Sequence, residues 1–293
     1  MGSNEPRVST REVSFQPRIT ACWPLPGAQA GSGLVAVGKR LLVVQDDVPA
    51  VLLVDPATRT VEKLILEGDG TARSKALKPD FEAALRGPDG AIHVLGSGST
   101  AMRRRIARID VDKHALTIAD AGPLYDALGA SLGHTPNIEG AVLSGERLLL
   151  LHRGAGTTEP NAIVSVSAAV LKGAAPDARP ATRWSLGSAG EVPLTFTDAT
   201  ALPGDPGTFL YLAVAEDTPN AIDDGPIVGT AVGQIHGDLG IWAPLLEADG
   251  SPSKRKVEGV TLDADGRSGW LVTDPDDAEA GADLCRLELG GSW

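Results

Sequence analysis

The chain is poor in cysteine: its 293 residues include only Cys22 and Cys285, and neither belongs to a CxxC or Cys/His arrangement. That spacing argues against a structural zinc site. Positive charge is also in deficit, with 26 Lys and Arg against 38 Asp and Glu, a net charge of -12. Such a surface repels polyphosphate backbones and anionic bilayers, so neither nucleic acid nor membrane is expected as a partner. No window approaches the roughly 18 apolar residues of a membrane span. The N-terminal MGSNEPRVSTREVSF lacks the basic start and apolar stretch of a secretory signal. The default expectation is therefore cytoplasmic, or periplasmic or secreted if a signal has been removed. GxSxG, Walker, HExxH and dinucleotide-binding signatures are all missing.

What is present is apolar mass and turns. Apolar residues make up 42% of the chain, enough for a sizeable core, and 35 Gly and 21 Pro are dispersed along it. Dispersed turn formers imply many short elements. One pattern recurs, an acid followed by small or β-branched residues and then Leu. It reads DFEAAL at 80–85, NIEGAVL at 137–143, FTDATAL at 196–202 and VEGVTL at 257–262. The acids Glu82, Glu139, Asp198 and Glu258 are 57, 59 and 60 residues apart. A polar, Gly-rich turn and a second apolar run follow each, the signature of an antiparallel hairpin. Third and fourth runs complete each unit, as in IARIDV with ALTIAD, and AIVSVS with ATRWSL.

A degenerate first unit, SGLVAVGKRLLVVQDD at 32–47, aligns without a gap on EGAVLSGERLLLLHRG and carries Ser32 at the acidic position. Four antiparallel strands per unit and five units predict an all-β, five-bladed β-propeller over residues 15–293, preceded by a flexible segment 1–14. A β-sandwich, a two-domain β protein and a six-bladed ring are the competing architectures. The last unit, ending ADLCRLELGGSW, lacks a fourth strand, whereas PRITACWPL at 17–25 is left over at the other end. The N-terminal run is therefore expected to close the last blade, which removes an unpaired edge.

Closure sets an expectation for the cysteines. Aligning DLCRLEL on RIARIDV places Cys285 at the position of Ala107, and aligning RITACW on ALTIAD places Cys22 at that of Ala119. The two cysteines should then face each other across neighbouring strands, as thiols in a reducing compartment or as a disulfide in an oxidising one. The alternative is two unrelated buried cysteines.

In a propeller the innermost strands line a central channel, so the four acids should converge on one mouth. The far ends of the second strands return to the same face: Gln45–Asp47, Ser97–Arg105, His152–Gly156, Glu216–Asp224 and Thr273–Asp277. Crowded carboxylates must be neutralised by protons, basic residues or a cation. A hard, oxygen-liganded ion, Ca²⁺ before Mg²⁺, suits Glu82, Glu139, Asp198 and Glu258. The opposing reading has each acid capping backbone N–H groups in its own blade. His152 and Arg153 are the candidate catalytic pair, His152 relaying a proton and Arg153 steadying an anion. Against that, Arg153 would merely bridge two acids and His152 pack beside them. The GSGST turn at 96–100, the Arg103–Arg105 run and the acids Glu216, Asp217, Asp223 and Asp224 are weaker candidates, more naturally turn, charge-balancing loop and long excursion. His93, His114, His134 and His236 read as structural.

FEAALRGPDGAIHVLGSGST, NIEGAVLSGERLLLLHRG and KVEGVTLDADG resemble the bacterial propellers of DUF6929, a family distantly similar to esterase-like and phytase-like propellers. The resemblance runs from about residue 15 to the end. Phytase-like propellers bind calcium through clustered acids and hydrolyse phosphate esters. Only Glu82, Glu139, Asp198 and Glu258 carry over, because the dense Lys/Arg/Tyr phosphate site of true phytases is not visible here. The leading expectation is a metal-binding propeller acting as a Ca²⁺-dependent hydrolase of an ester or phosphoester, with a small-molecule ligand or substrate. The alternative is a non-catalytic scaffold with structural channel acids; a lyase or lactonase is a third reading.

Overall fold

Short β-branched and leucine-rich runs, separated by glycines at positive φ such as Gly90 (φ 80°) and Gly145 (φ 58°), fold into successive antiparallel hairpins. The computed structural model describes residues 7–74, 77–155, 159–218, 225–277 and 280–291. Blade one comprises Gly33–Val37, Arg40–Val44, Ala50–Asp55 and Thr60–Ile65. Blade two comprises Phe81–Arg86, Ile92–Gly96, Arg105–Asp110 and Ala115–Asp120. Blade three comprises Ile138–Ser144, Arg147–His152, Asn161–Ser167 and Thr182–Ser185. Blade four comprises Thr195–Ala201, Thr208–Glu216, Ile227–His236 and Leu239–Pro244. Blade five comprises Val257–Leu262, Ser268–Thr273 and Asp283–Gly290, completed by Gln16–Pro24 from the other end of the chain.

The first strand of each blade touches the first strand of the next, and that of blade five touches that of blade one, so the fold is a closed five-bladed β-propeller. Its apolar core lies between blades. Leu95 of blade two and Leu148, Leu150 and Val164 of blade three enclose Leu124, Tyr125, Leu128 and Leu132 of the inserted helix Gly122–Leu132. Equivalent aliphatic layers fill the other blade interfaces.

Ring closure follows the sequence expectation, with one local difference in register. In blade two Ala107 faces Ile118 and Ile106 faces Ala119, so the two template positions are diagonal neighbours rather than opposed. In blade five Leu287 faces Ile19, as the template requires, but Arg286 faces Ala21. The bulge leaves Thr20 unpaired and advances the register by one residue, which sets Cys285 directly opposite Cys22. The two form a disulfide with a Cα–Cα separation of 4.1 Å.

The described part of the segment expected to be a flexible lead runs along the outside of the ring. Arg7–Ser9 adds a parallel strand to the edge of blade three, and Arg11–Glu12 adds one to blade four. Asp223 and Asp224 of the blade-four excursion lie outside the described residues, as does Gly156.

Candidate functional site

The inner strands share a device that pure alternation would not reveal. In blade two Phe81 pairs with Gly96 and Ala83 with Leu95, which leaves Glu82 as the extra residue of a bulge. The same skip falls on Glu139 in blade three and on Glu258 in blade five. A bulged residue is released from the ladder and its side chain is re-aimed. In blade four the skip falls on Thr197, not on Asp198. The expectation that Asp198 shares the phase of the glutamates is thus corrected by one residue.

Thr197 and Ser32 take the glutamate position in blades four and one. Both hydroxyls donate to the carbonyl of the next blade, Ser32 to Phe81 at 2.6 Å and Thr197 to Val257 at 2.8 Å. Asp198 instead corresponds to Gly33, Ala83, Gly140 and Gly259, positions pressed against the neighbouring inner strand. A Cβ on Gly140 would lie 3.0 Å from the Ala199 nitrogen. Buried there, Asp198 accepts the Val260 N–H through Oδ2 at 2.7 Å, and its Oδ1 has no partner among the described residues. Burial drives its carboxyl well above the usual range. The backbone-capping reading therefore describes Asp198, although the strand it caps belongs to the next blade.

Glu139 and Glu258 are neutralised by side chains that arrive from the second strands and from the residues before the bulges. Arg153 donates to Glu216 Oε2 at 2.6 Å and lies 4.0 Å from Glu139 and 3.9 Å from Glu258. Lys256 lies 3.4 Å from Glu258, 3.4 Å from Asp274 and 2.5 Å from Asp276. Asn137 donates to Glu139 at 2.7 Å. Burial still raises both glutamates: Glu258 is pushed up to about 7 against the pull of Lys256, while Arg153 is the main opposing influence on Glu139. Asp274 is pushed up to about 8 by burial and by Glu258. An open cleft of about 600 Å³ adjoins this end of the channel, walled by Lys256, Thr273, Asp274 and Asp276.

Glu82 is different. Its side chain is buried and has no hydrogen bond or ion pair among the described residues. Burial raises its pKa well above the usual value, and Glu139, Asp80 and Asp46 raise it further, against Lys78. Carboxylate oxygens of Asp46, Asp80 and Glu82 approach within 4.8 Å of one another. Asp80 is held by Lys78 and Arg103, each at 2.9 Å, and by the Ser97 hydroxyl; Lys78 also contacts Asp46. Asp46 Oδ1 and Asp47 Oδ1 are buried without partners among the described residues. This all-oxygen, carboxylate-rich donor set has the chemistry that hard divalent cations take.

His152 and Arg153 do not form a joint site. The His152 ring is 1% exposed, and its Nδ1 accepts the Asn137 N–H at 3.0 Å. Burial, reinforced by His134, lowers its pKa to about 3, so it is neutral at physiological pH. Its ring packs 4.7 Å from His134 and lies near Glu159, while Arg153 joins the channel acids. Arg103, Arg104 and Arg105 pair with Asp80, Asp126 and Glu67, which makes the run a charge-balancing one.

Sequence reasoning passed over Lys78, Asp80, Lys256 and Glu159, and it read His134 as structural. One signal was available. Asp80, Asn137 and Lys256 each stand two residues before a channel glutamate, and strand periodicity brings such residues to the same side. Glu159 and His134 are 25 residues apart, with no spacing to betray them.

No curated protein matches this chain. Among solved structures it is similar to an α-L-arabinofuranosidase from Podospora anserina in complex with cellotriose. That match has a TM-score of 0.54 at 10% identity over 94% of this chain and 98% of that one. A streptogramin B lyase matches with a TM-score of 0.44 at 11% identity, over 94% and 98% of the two chains. A luciferin-regenerating enzyme matches with 0.46 at 10%, over 93% and 97%. At such identities the likeness is one of fold. Residues 27–289 match a family of unknown function, and the chain belongs to that family, DUF6929.

Proposed function

We propose that this protein is a cation-binding propeller whose site is the Asp46, Asp80 and Glu82 cluster at the channel mouth, with Ca²⁺ as the ion its chemistry favours. The observation that carries this reading is Glu82, a buried carboxyl with no hydrogen-bond or ion-pair partner among the described residues, beside two further acids. Leaving a buried carboxylate unpaired is costly, and a proton or a cation relieves that cost. The earlier four-carboxylate set contracts accordingly. Glu139 and Glu258 have Arg153 and Lys256 for neighbours, and Asp198 serves the backbone of blade five.

Lys78 is the internal competitor, since its ammonium already contacts Asp46 and Asp80. A divalent ion must share or take that place, so Lys78→Met should tighten binding. When bound, such an ion polarises an ester or phosphoester oxygen and acidifies its water. The residues around it supply further functions. Asp274, pushed up to about 8 at the edge of the cleft, keeps a proton available at neutral pH for a leaving group. Arg153 is held between Glu216, Glu139 and Glu258, and positions those carboxylates. A Ca²⁺-dependent hydrolase is the enzymatic form of this proposal. A non-catalytic scaffold is favoured by one specific observation, the internal pairing of Glu139 and Glu258 with basic side chains. The Cys22–Cys285 disulfide fits an oxidising compartment.

The test is thermal melting with Ca²⁺ and with chelator. At a hundredfold excess over the dissociation constant, binding to the native state alone adds about 2.7 kcal/mol of stability. Glu82→Gln should abolish the difference and Lys78→Met should enlarge it. Superimposable wild-type curves would remove the cation from the reading. Hydrolysis of ester and phosphoester panels, with and without chelator, then separates enzyme from scaffold.

A further inference from the structure

A second cluster of polar groups lies away from the cation site, between blades two and three. His134, His152 and Glu159 bring their donor atoms within 4.8 Å of one another, a set of the kind zinc takes. The hydrogen bonding argues otherwise. His152 Nδ1 accepts the Asn137 N–H, so the proton of this neutral ring sits on Nε2. Ligation through Nε2 would move that proton to Nδ1, where it would face a backbone N–H. Nε2 is instead a buried N–H donor without a partner among the described residues, 3.9 Å from Glu159.

His134 is placed in the opposite sense. Its Nδ1 faces two acceptors, Glu159 Oε1 at 2.5 Å and the Thr135 carbonyl at 3.1 Å, so Nδ1 must carry the proton. In the neutral ring Nε2 is the lone-pair acceptor, and it has no partner among the described residues. The side chain is 28% exposed and lines a groove of about 500 Å³ between the turn Ala101–Arg103 and the helix Gly122–Leu132. A carboxylate that fixes one nitrogen of an imidazole ring lining an open groove is the arrangement of a positioned proton acceptor.

The rest of the groove limits the ligand. Arg104 pairs with Asp126 and donates to the Gly122 carbonyl at 2.7 Å, both through Nη2, while its Nη1 has no acceptor among the described residues. The Thr100 hydroxyl has none among the described residues. Of the charged side chains lining the groove, Arg104 and Asp126 compensate each other. What remains on offer is a neutral mixture of acceptor and donors.

We propose that this groove is a ligand site for a small neutral polyol or sugar, in which His134 Nε2 accepts the hydrogen of one ligand hydroxyl while Thr100 and Arg104 donate to its oxygens. The proposal is independent of the cation reading, since none of these side chains belongs to the Asp46, Asp80 and Glu82 cluster.

The experiment is long-range ¹H–¹⁵N NMR on the full chain labelled at histidine, titrated with glucose, xylose and glycerol. The expected spectrum shows His134 protonated at Nδ1, with an Nε2 resonance that moves saturably with at least one of these compounds. Thr100→Val and Arg104→Met should weaken that titration tenfold or more with melting temperature unchanged. Glu159→Gln should mix the His134 tautomers. Three results overturn the proposal: no shift with any polyol, a shift produced only by phosphate or acetate, or stoichiometric zinc binding lost on His134→Gln.

Discussion

Reducing the Cys22–Cys285 bond tests the closure of the ring without altering a side chain. The two cysteines are 263 residues apart, so the bond ties nearly the whole unfolded chain into one loop. The chain-entropy relation for such a loop gives a loss of about 19 cal/mol/K on cross-linking the denatured state, or about 5.5 kcal/mol at 25 °C. The native state loses little on reduction, because Asp283–Gly290 remains paired with Gln16–Pro24 along the strand and Cys285 stays buried against Leu271 and Leu287. An unfolding entropy of about 2.1 cal/mol/K per residue amounts to about 0.6 kcal/mol/K over 293 residues, so the melting temperature should fall by about 9 °C. Calorimetry of the oxidised protein and of the same protein in reductant measures this difference. A Cys22→Ala, Cys285→Ala double variant should melt near the reduced protein and ignore reductant. The m-value in urea should rise on reduction, since the open chain exposes more surface. Equal melting temperatures in oxidised and reduced samples would refute the reasoning.

Two further outcomes follow from the channel and from the inner strands. Folding raises Glu258 to about 7 and Asp274 to about 8, so the unfolded chain gives up these protons first and stability is lost as pH rises through those values. His152, lowered to about 3, acts in the opposite direction only below its unfolded value near 6.5. Between pH 8 and 6.5 the carboxyls alone decide, and acidification should stabilise by about 2 kcal/mol; Asp274→Asn should flatten that slope in a melting series, and an unchanged slope would contradict the assignment. A Cβ at Gly259 would meet Val272 at 2.5 Å and the Gly33 carbonyl carbon at 2.9 Å, so Gly259→Ala should cost about 1–3 kcal/mol in urea denaturation. A variant as stable as wild type would show that the inner strands can spread.

The repeat by itself determined the architecture. Five runs of hydrophobic hairpin at spacings of 50 to 60 residues can bury their apolar faces only against one another, and a last unit short of one strand needs the run at the other end of the chain. Those are statements about periodicity and pairing, which a linear sequence carries. The chemistry of the channel was legible only in outline. Glu82, Glu139 and Glu258 stood out because each is an acid at the same phase, yet Asp198 looked equivalent and is not. A bulge moves by one residue without leaving a mark in composition, and one residue decides whether a side chain enters the channel or presses on the next strand. The register of Cys22 against Cys285 likewise turned on the unpaired Thr20. Charge pairing was still less visible. Arg153 meets Glu216 across 63 positions, and His134 meets Glu159 across a hairpin end, because the ring brings together loops that the chain keeps apart. Tertiary structure alone decided which carboxyls were already neutralised and left Glu82 without a partner among the described residues.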